Sequence, residues 1–150
     1  MRRALSVVCA GAALAFGPGC AREEDPPLAE ACRGGPAAVL TALEAAPGEV
    51  RMDDTPLSEC LANAEDGGQL RDVGTGYVNA AQRLADRADR DPDGPAAEQL
   101  GYLVGAVRRG SLPDQGLAYE LVRRIETEAR RADRTSAAFR RGLRAGGRDG

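Results

Sequence analysis

Residues 95–110 read PAAEQLGYLVGAVRRG, and this stretch predicts the clearest helix of the chain, from Pro95 to Arg109. Proline suits the first turn of a helix, where its missing N–H would have no partner. The larger apolar side chains recur every three or four residues, as on one helix face: Leu100, Leu103, Val104 and Val107. A second stripe has four-residue spacing and contains only Ala97, Gly101 and Gly105. Because such glycines weaken a helix unless a neighbour packs against them, we expect this helix at the centre of a bundle.

The same periodicity predicts three helices before this stretch and one after it. The first helix is expected at Pro36–Ala46. The second opens with Thr55 as N-cap and Pro56 in the first turn, runs to about Ala64 and is stopped by Asp66-Gly67-Gly68. The third spans Gln69 to about Ala88. The last runs from about Gln115 to Thr135 or on to Arg144, with a buried face of Leu117, Leu121, Val122 and Ile125.

The remaining segments are too short or too polar for regular structure of their own. Residues 49–52 are expected to be extended or loop, and too isolated to form a sheet. The glycine-rich residues 145–150 indicate a disordered end. The prediction is therefore an all-α bundle of four or five helices in a single domain at residues 31–144.

The N-terminal residues have the layout of a secretory signal. Arg2 and Arg3 precede an apolar run from Ala4 to Phe16, and small residues follow up to Cys20. This run is shorter than the roughly 20 residues that a membrane-spanning helix needs. The sequence therefore predicts export, with the mature domain on the extracytoplasmic side.

The end of this segment resembles the lipobox of bacterial lipoproteins. Gly19 and Cys20 match its last two positions, while Gly17 and Pro18 differ from the first two. The resemblance implies that residues 1–19 are a signal peptide and that Cys20 becomes the lipidated first residue, carrying fatty acyl chains such as palmitate. Two acyl chains suffice for stable anchoring, and residues 20–30 would then tether the domain to the membrane.

Other interpretations of the signal remain open. A general signal peptidase would cut after Ala15, at the small residues Ala13-Leu14-Ala15, and release the chain. Retention of the apolar run as an anchor is a further alternative, which its length disfavours. Arg2-Arg3 also fits the twin-arginine export signal, although two arginines are common in any basic n-region.

The cysteines point to one disulfide. The chain has four cysteines, of which Cys9 lies within the signal and Cys20 would carry the lipid. Cys32 and Cys60 remain as a pair in an oxidising compartment, so we predict that they are bonded. Closing a loop of about 29 residues would stabilise the fold by roughly 3–4 kcal/mol. A redox-active pair is the alternative, but such pairs usually have Cys-x-x-Cys spacing.

Composition excludes several classes of function. The chain has 23 acidic and 20 basic residues, a net charge of −3, and no His or Trp. This acidic balance argues against nucleic-acid binding. The absence of histidine excludes Ser-His-Asp and Cys-His triads and zinc sites that contain histidine. Carboxylate chemistry remains available, but Asp53-Asp54 lies in a predicted loop, where solvation is expected in place of the burial that a catalytic carboxylate needs. We therefore expect a non-catalytic protein without a required cofactor.

One acidic stretch resembles the opening of an EF-hand calcium loop. Asp89, Asp91, Asp93 and Gly94 supply D-x-D-x-D-G between two predicted helices. The twelfth loop position, which normally supplies a bidentate glutamate, is Leu100. The alternative is an acidic loop in which Asp93 or Gly94 caps the helix that starts at Pro95.

Two further groups of residues are candidate binding sites. Tyr77, Tyr102 and Tyr119 lie near small residues and would either line a pocket between helices or sit in the core with bonded hydroxyls. The C-terminal region carries many arginines that would either contact anionic lipid or an acidic polymer, or pair with interleaved carboxylates. These are Arg123, Arg124, Arg130, Arg131, Arg134, Arg140, Arg141 and Arg144.

Residues 99–110, following the Cys32 and Cys60 pair, look like small actinobacterial exported proteins of unknown function. Together these features predict a membrane-anchored envelope lipoprotein whose non-catalytic domain binds another protein or an envelope component. The alternatives are an exported domain that binds calcium or a small ligand, and a carboxylate-dependent enzyme.

Overall fold

A computed structural model of the chain describes residues 27–111 and 116–150. These residues form an all-α bundle with one short hairpin, which confirms the predicted fold class, although with six helices rather than four or five. The elements follow in the order α1 (Gly35–Ala42), β1 (Arg51–Met52), β2 (Thr55–Pro56), α2 (Leu57–Ala62), α3 (Gly67–Arg90), α4 (Pro95–Gly110), α5 (Leu117–Ala129) and α6 (Ala137–Asp149). Short 3-10 turns lie at Glu30–Arg33 and Leu43–Ala45.

Helix α4 is the centre of the bundle, as the sequence predicts. It packs against α2, α3, α5 and α6, and both of its predicted faces are buried. The larger apolar residues of the first face are fully enclosed: Leu100, Leu103, Val104 and Val107. A helix that is apolar nearly all round must be surrounded by neighbours, because any uncovered side would expose apolar area to water.

Glycines allow α4 and α6 to pack backbone against backbone. A Cβ atom at Gly101 would overlap the carbonyl oxygen of Phe139, and one at Gly142 would overlap the carbonyl oxygen of Glu98. Gly105 and Gly146 extend the same contact along the two helices. The small stripe of α4 is therefore covered by a second small stripe on α6, and the helix axes approach more closely than larger side chains would permit.

The prediction for the C-terminal end of the chain was wrong in two respects. Instead of one long helix followed by a disordered tail at 145–150, α5 ends at Ala129 and α6 extends to Asp149. Asp133 forms a turn between them, its Oδ1 accepting from the N–H of Thr135 at 2.8 Å. Ser136 then caps α6, its Oγ accepting from the N–H of Phe139 at 3.1 Å. Gly146 and Gly150 in this terminal stretch lie against Tyr102 and Ala106 of α4, so the end of the chain packs as part of the bundle.

The region before α3 also differs from the prediction. Residues 51–52 pair with Thr55-Pro56 in an antiparallel hairpin, with Asp53 in the left-handed region at φ 51°. Helix α2 consequently begins at Leu57, and Thr55 does not cap it. Asp66 does not end α2 but caps α3, because its Oδ1 accepts from Gly68 N and Gln69 N at 2.7 and 2.8 Å. An Asp followed by two glycines thus starts a helix here.

Candidate functional site

The predicted signal at 1–19 and the lipidation site Cys20 lie outside the described residues. Residues 27–30, the part of the predicted 20–30 tether that is described, form the edge of the domain. Leu28 and Ala29 are half-buried and pack against the core. Leu28 and Ala29, which fall within the predicted tether, therefore pack with the domain.

The predicted disulfide between Cys32 and Cys60 is present. It joins the 3-10 turn at Glu30–Arg33 to α2, with a Cα–Cα distance of 5.4 Å. Both cysteines are buried, with exposed fractions of 2% and 0%. A disulfide this enclosed is inaccessible to a partner thiol, so its chemistry is that of a covalent link between the N-terminal segment and the bundle.

The three aspartates of the candidate calcium loop do not converge. Asp89 lies in the last turn of α3, Asp91 ends that helix and Asp93 lies in the following turn, all exposed to solvent. Leu100, at the twelfth loop position, is fully buried. Across residues 27–111 and 116–150, no three His, Cys, Asp or Glu side chains are grouped closely enough to hold a metal ion.

Two of the three candidate tyrosines belong to the core. The Tyr77 hydroxyl donates to the carbonyl oxygen of Leu57 at 2.8 Å, and the Tyr102 hydroxyl accepts from the N–H of Val50 at 3.2 Å. Burial raises the pKa of both phenols, because the charged phenolate would lose its hydration. Both hydroxyls satisfy backbone groups that connect the bundle to the segments before α3.

Tyr119 lies apart from the other two. It is on α5 and 57% exposed, whereas Tyr77 and Tyr102 are completely enclosed. The three tyrosines therefore do not line a common pocket.

Many arginines of the C-terminal half are paired with carboxylates. Glu120 contacts Arg123 and Arg124 at 3.8 and 3.5 Å, as expected one turn away on a helix. Arg131 bridges to Asp86 on α3 and to Glu128. Another ion pair joins α6 to α4, with 2.8 Å between Arg141 Nε and Glu98 Oε1. The arginines of these pairs are exposed, so each pair contributes little stability, and the pairing reduces the basic charge available to a ligand.

A groove lies between α3 and α5 on the described surface. It encloses about 370 Å³ and combines apolar walls with a polar rim. Its apolar lining consists of Leu70, Val78, Leu117 and Leu121, with Gly67 and Gly74 beside them. Its polar lining consists of Arg71, Thr75, Asn79, Glu120 and Arg124.

Gly74 sets the depth of this groove. A Cβ atom there would lie 3.2 Å from a methyl carbon of Leu121, so the glycine lets the leucine side chain lie directly against α3. Leu121 is thereby buried, whereas Leu117, one turn earlier, remains 64% exposed. The prediction that Leu117 belongs to the buried face of α5 was wrong, because α3 does not cover the first turn of α5.

Sequence reasoning missed this groove. The residues that line it from α3 recur at four-residue spacing, Leu70-Gly74-Val78 and Arg71-Thr75-Asn79, which is the available sequence signal. That signal indicates a helix face, but only the position of α5 shows that the face is half covered.

The described helices offer no segment that is both long and apolar enough to cross a bilayer. Comparisons of the chain with protein-family models, with curated proteins and with solved structures find no match.

Proposed function

We propose that this chain is an exported lipoprotein, anchored to a membrane through Cys20, whose helical domain is a non-catalytic binding module of the cell envelope. The observation that carries the proposal is the buried disulfide between Cys32 and Cys60. Disulfides form and persist mainly in oxidising compartments, which supports passage of the chain out of the cytoplasm.

The disulfide also supports the role of Cys20. With Cys32 and Cys60 bonded to each other, and Cys9 inside the apolar run, Cys20 is the cysteine left for another purpose. It follows the small residues that resemble a lipobox, which is the position that lipoprotein modification requires.

The proposal of a binding role rests on the surface and on composition. A chain without histidine lacks the usual general base near neutral pH. The polar side chains that face one another across the α3–α5 groove include a single carboxylate, Glu120, which is exposed and paired with arginine. An open groove with apolar walls and arginines on its rim suits contact with a protein or another envelope component.

Mass spectrometry of the chain purified from its native membrane fraction tests the anchor. We expect a mature chain that begins at Cys20, heavier by a diacylglyceryl group and lighter by two hydrogens for the disulfide. Cys20→Ser should abolish the lipid and leave the chain unprocessed at this site. Cys9→Ser is the matched control and should be lipidated normally, because Cys9 is removed with the signal.

A lipid-free soluble chain that begins at Phe16 would refute the anchor and support ordinary secretion. A mass that lacks the two-hydrogen loss would contradict the disulfide and, with it, the argument for export.

A further inference from the structure

The exposed side of the α3–α5 groove is continuous with the place where the tether enters the domain. We infer that this side docks on the anionic phospholipid surface of the membrane that holds the chain, an inference that rests on the lipid anchor proposed above. We call it the anchor-side surface and define it by Leu28, Arg71, Thr75, Val78, Leu117 and Arg124.

The length of the tether restricts which side of the domain can meet the membrane. Since a chain extends by at most about 3.5 Å per residue, Cys20 lies within about 30 Å of Leu28. A compact domain of about 120 residues has a diameter of about 35 Å, estimated from its radius of gyration. The side that carries Leu28 is therefore held toward the bilayer, because the opposite side lies about 35 Å away, beyond the reach of even a fully extended tether.

The surface runs without interruption from Leu28 to Leu117. Leu28 borders a shallow depression that also contains Arg71 and Thr75. These two residues of α3 line the α3–α5 groove as well, where Leu117 forms part of the opposite wall. Leu117, the most exposed large hydrophobic side chain of the described residues, is thus on the side that the tether turns to the membrane.

The side chains of this surface match a lipid headgroup layer. Leu117 and the half-buried Val78 offer apolar area that can enter the boundary between headgroups and acyl chains. Arg71 and Arg124 stand beside them, and guanidinium groups bind phosphate through paired hydrogen bonds. Arg124 lies 3.5 Å from the carboxylate of Glu120, so Arg71 carries most of the charge offered to a headgroup. Within the described residues Arg71 has no ion-pair partner, so its charge is available to an anionic lipid.

A tryptophan reporter tests this inference because the chain contains no tryptophan. Leu117→Trp places the reporter on the anchor-side surface. Gly147→Trp is the matched control on α6, where an added side chain meets open space. Helix α6 packs chiefly against α4, away from the groove. Each lipidated chain is reconstituted into vesicles of phosphatidylcholine, with or without phosphatidylglycerol, and probed with bromine-labelled acyl chains.

We expect the Leu117→Trp emission to shift to shorter wavelength and to be quenched on vesicles that contain phosphatidylglycerol, with the quenching lost at high salt. The Gly147→Trp emission should show neither change. Adding Arg71→Glu and Arg124→Glu to the Leu117→Trp chain should abolish the quenching. Adding Arg140→Glu and Arg144→Glu, the charge-matched control on α6, should preserve it.

Equal quenching at both reporter positions would overturn the inference, since it would indicate non-specific adsorption. The inference would also be overturned if the Leu117→Trp emission were unchanged on all vesicles and shifted only when solubilised envelope proteins were added. That result would assign the surface to a protein partner. A chain that does not float with vesicles refutes the lipid anchor itself. A chain that floats but leaves Leu117→Trp in water refutes only the docking.

Discussion

At the scale of single residues, glycine and tyrosine contribute most to the specificity of this fold. The glycines shared by α4 and α6 are required by backbone contact, whereas a Cβ atom at Gly147 would meet no other atom within 4 Å. The Tyr77 hydroxyl finds an acceptor in the carbonyl of Leu57, and the Tyr102 hydroxyl accepts from the N–H of Val50. Leaving a buried polar group without a partner costs about 1–3 kcal/mol. The requirement for glycine and the value of a tyrosine hydroxyl both depend on the atoms around the residue and not on its identity alone.

Alanine substitution on α6 should have opposite effects at two glycines. Gly142→Ala places a methyl group on the carbonyl oxygen of Glu98, so we expect a loss of about 3 kcal/mol or more in the free energy of unfolding. Gly147→Ala should stabilise the protein by up to about 1 kcal/mol, because alanine restricts the unfolded chain and favours helix. Urea unfolding followed by circular dichroism measures both, and equal effects would contradict the close packing of α4 and α6.

Tyr77 should make stability depend on alkaline pH. Burial raises its pKa in the folded state, so above about pH 10 the unfolded chain loses a proton that the folded chain retains. The free energy of unfolding should therefore fall as pH rises beyond about 10. Tyr77→Phe should cost about 1 kcal/mol at neutral pH, where it removes the hydrogen bond to Leu57, and should make the alkaline decline shallower.

Tyr119→Phe is the control for this measurement, since its side chain is largely exposed. It should leave both the neutral stability and the alkaline decline unchanged within about 0.5 kcal/mol. Parallel pH profiles for the wild-type and Tyr77→Phe proteins would show that Tyr77 does not account for the decline.

At the scale of elements, local hydrogen bonds fix where the helices begin. Helix α3 starts with two glycines, which are weak helix formers, and depends on Asp66 to hold its first turn. Helix α6 starts after the Asp133 turn and the Ser136 cap. These polar residues lie where one helix ends and the next begins within a few residues. The helix boundaries are therefore difficult to assign from periodicity alone.

Removal of the α3 cap should destabilise the domain measurably. Asp66→Ala deprives Gly68 N and Gln69 N of their acceptor, and we expect the free energy of unfolding to fall by about 1 kcal/mol. Asp66→Asn should retain most of the stability, because asparagine is an equally good cap. Glu65→Ala is the neighbouring control, whose side chain makes no hydrogen bond or ion pair within the described residues. Chemical denaturation measures the free energy of unfolding of all three variants. Equal values would contradict the capping role of Asp66.

At the scale of the whole molecule, the fold consists of a bundle around α4 and an N-terminal segment attached to it. The disulfide connects the N-terminal segment to α2, and the hydrogen bond of Tyr102 connects Val50 to α4. The hydrogen bond of Tyr77 in turn connects α2 to α3. The segment also leads to the proposed anchor, so the covalent link holds the base of the tether to the bundle.

Loss of the disulfide should lower stability more than loss of any single hydrogen bond described above. Replacing both Cys32 and Cys60 by serine should reduce the free energy of unfolding by about 3–4 kcal/mol, because the unfolded chain gains the freedom of an open loop. Urea unfolding with and without a reductant measures this. Reduced wild-type protein should resemble the double variant, and a stability that does not respond to reductant would show that the bond contributes nothing.

The sequence by itself determined the helical class, the central position of the 95–109 helix and the pairing of Cys32 with Cys60. Helical periodicity specifies which side chains share a face, and the small stripe of α4 already requires a close neighbour. The tertiary structure alone decided that α6 is that neighbour, that the glycines of 145–150 are helical, and that Leu117 remains exposed beside a groove. The reason is that a pattern within one helix records which face is apolar, but not which other segment covers that face or how far the cover extends.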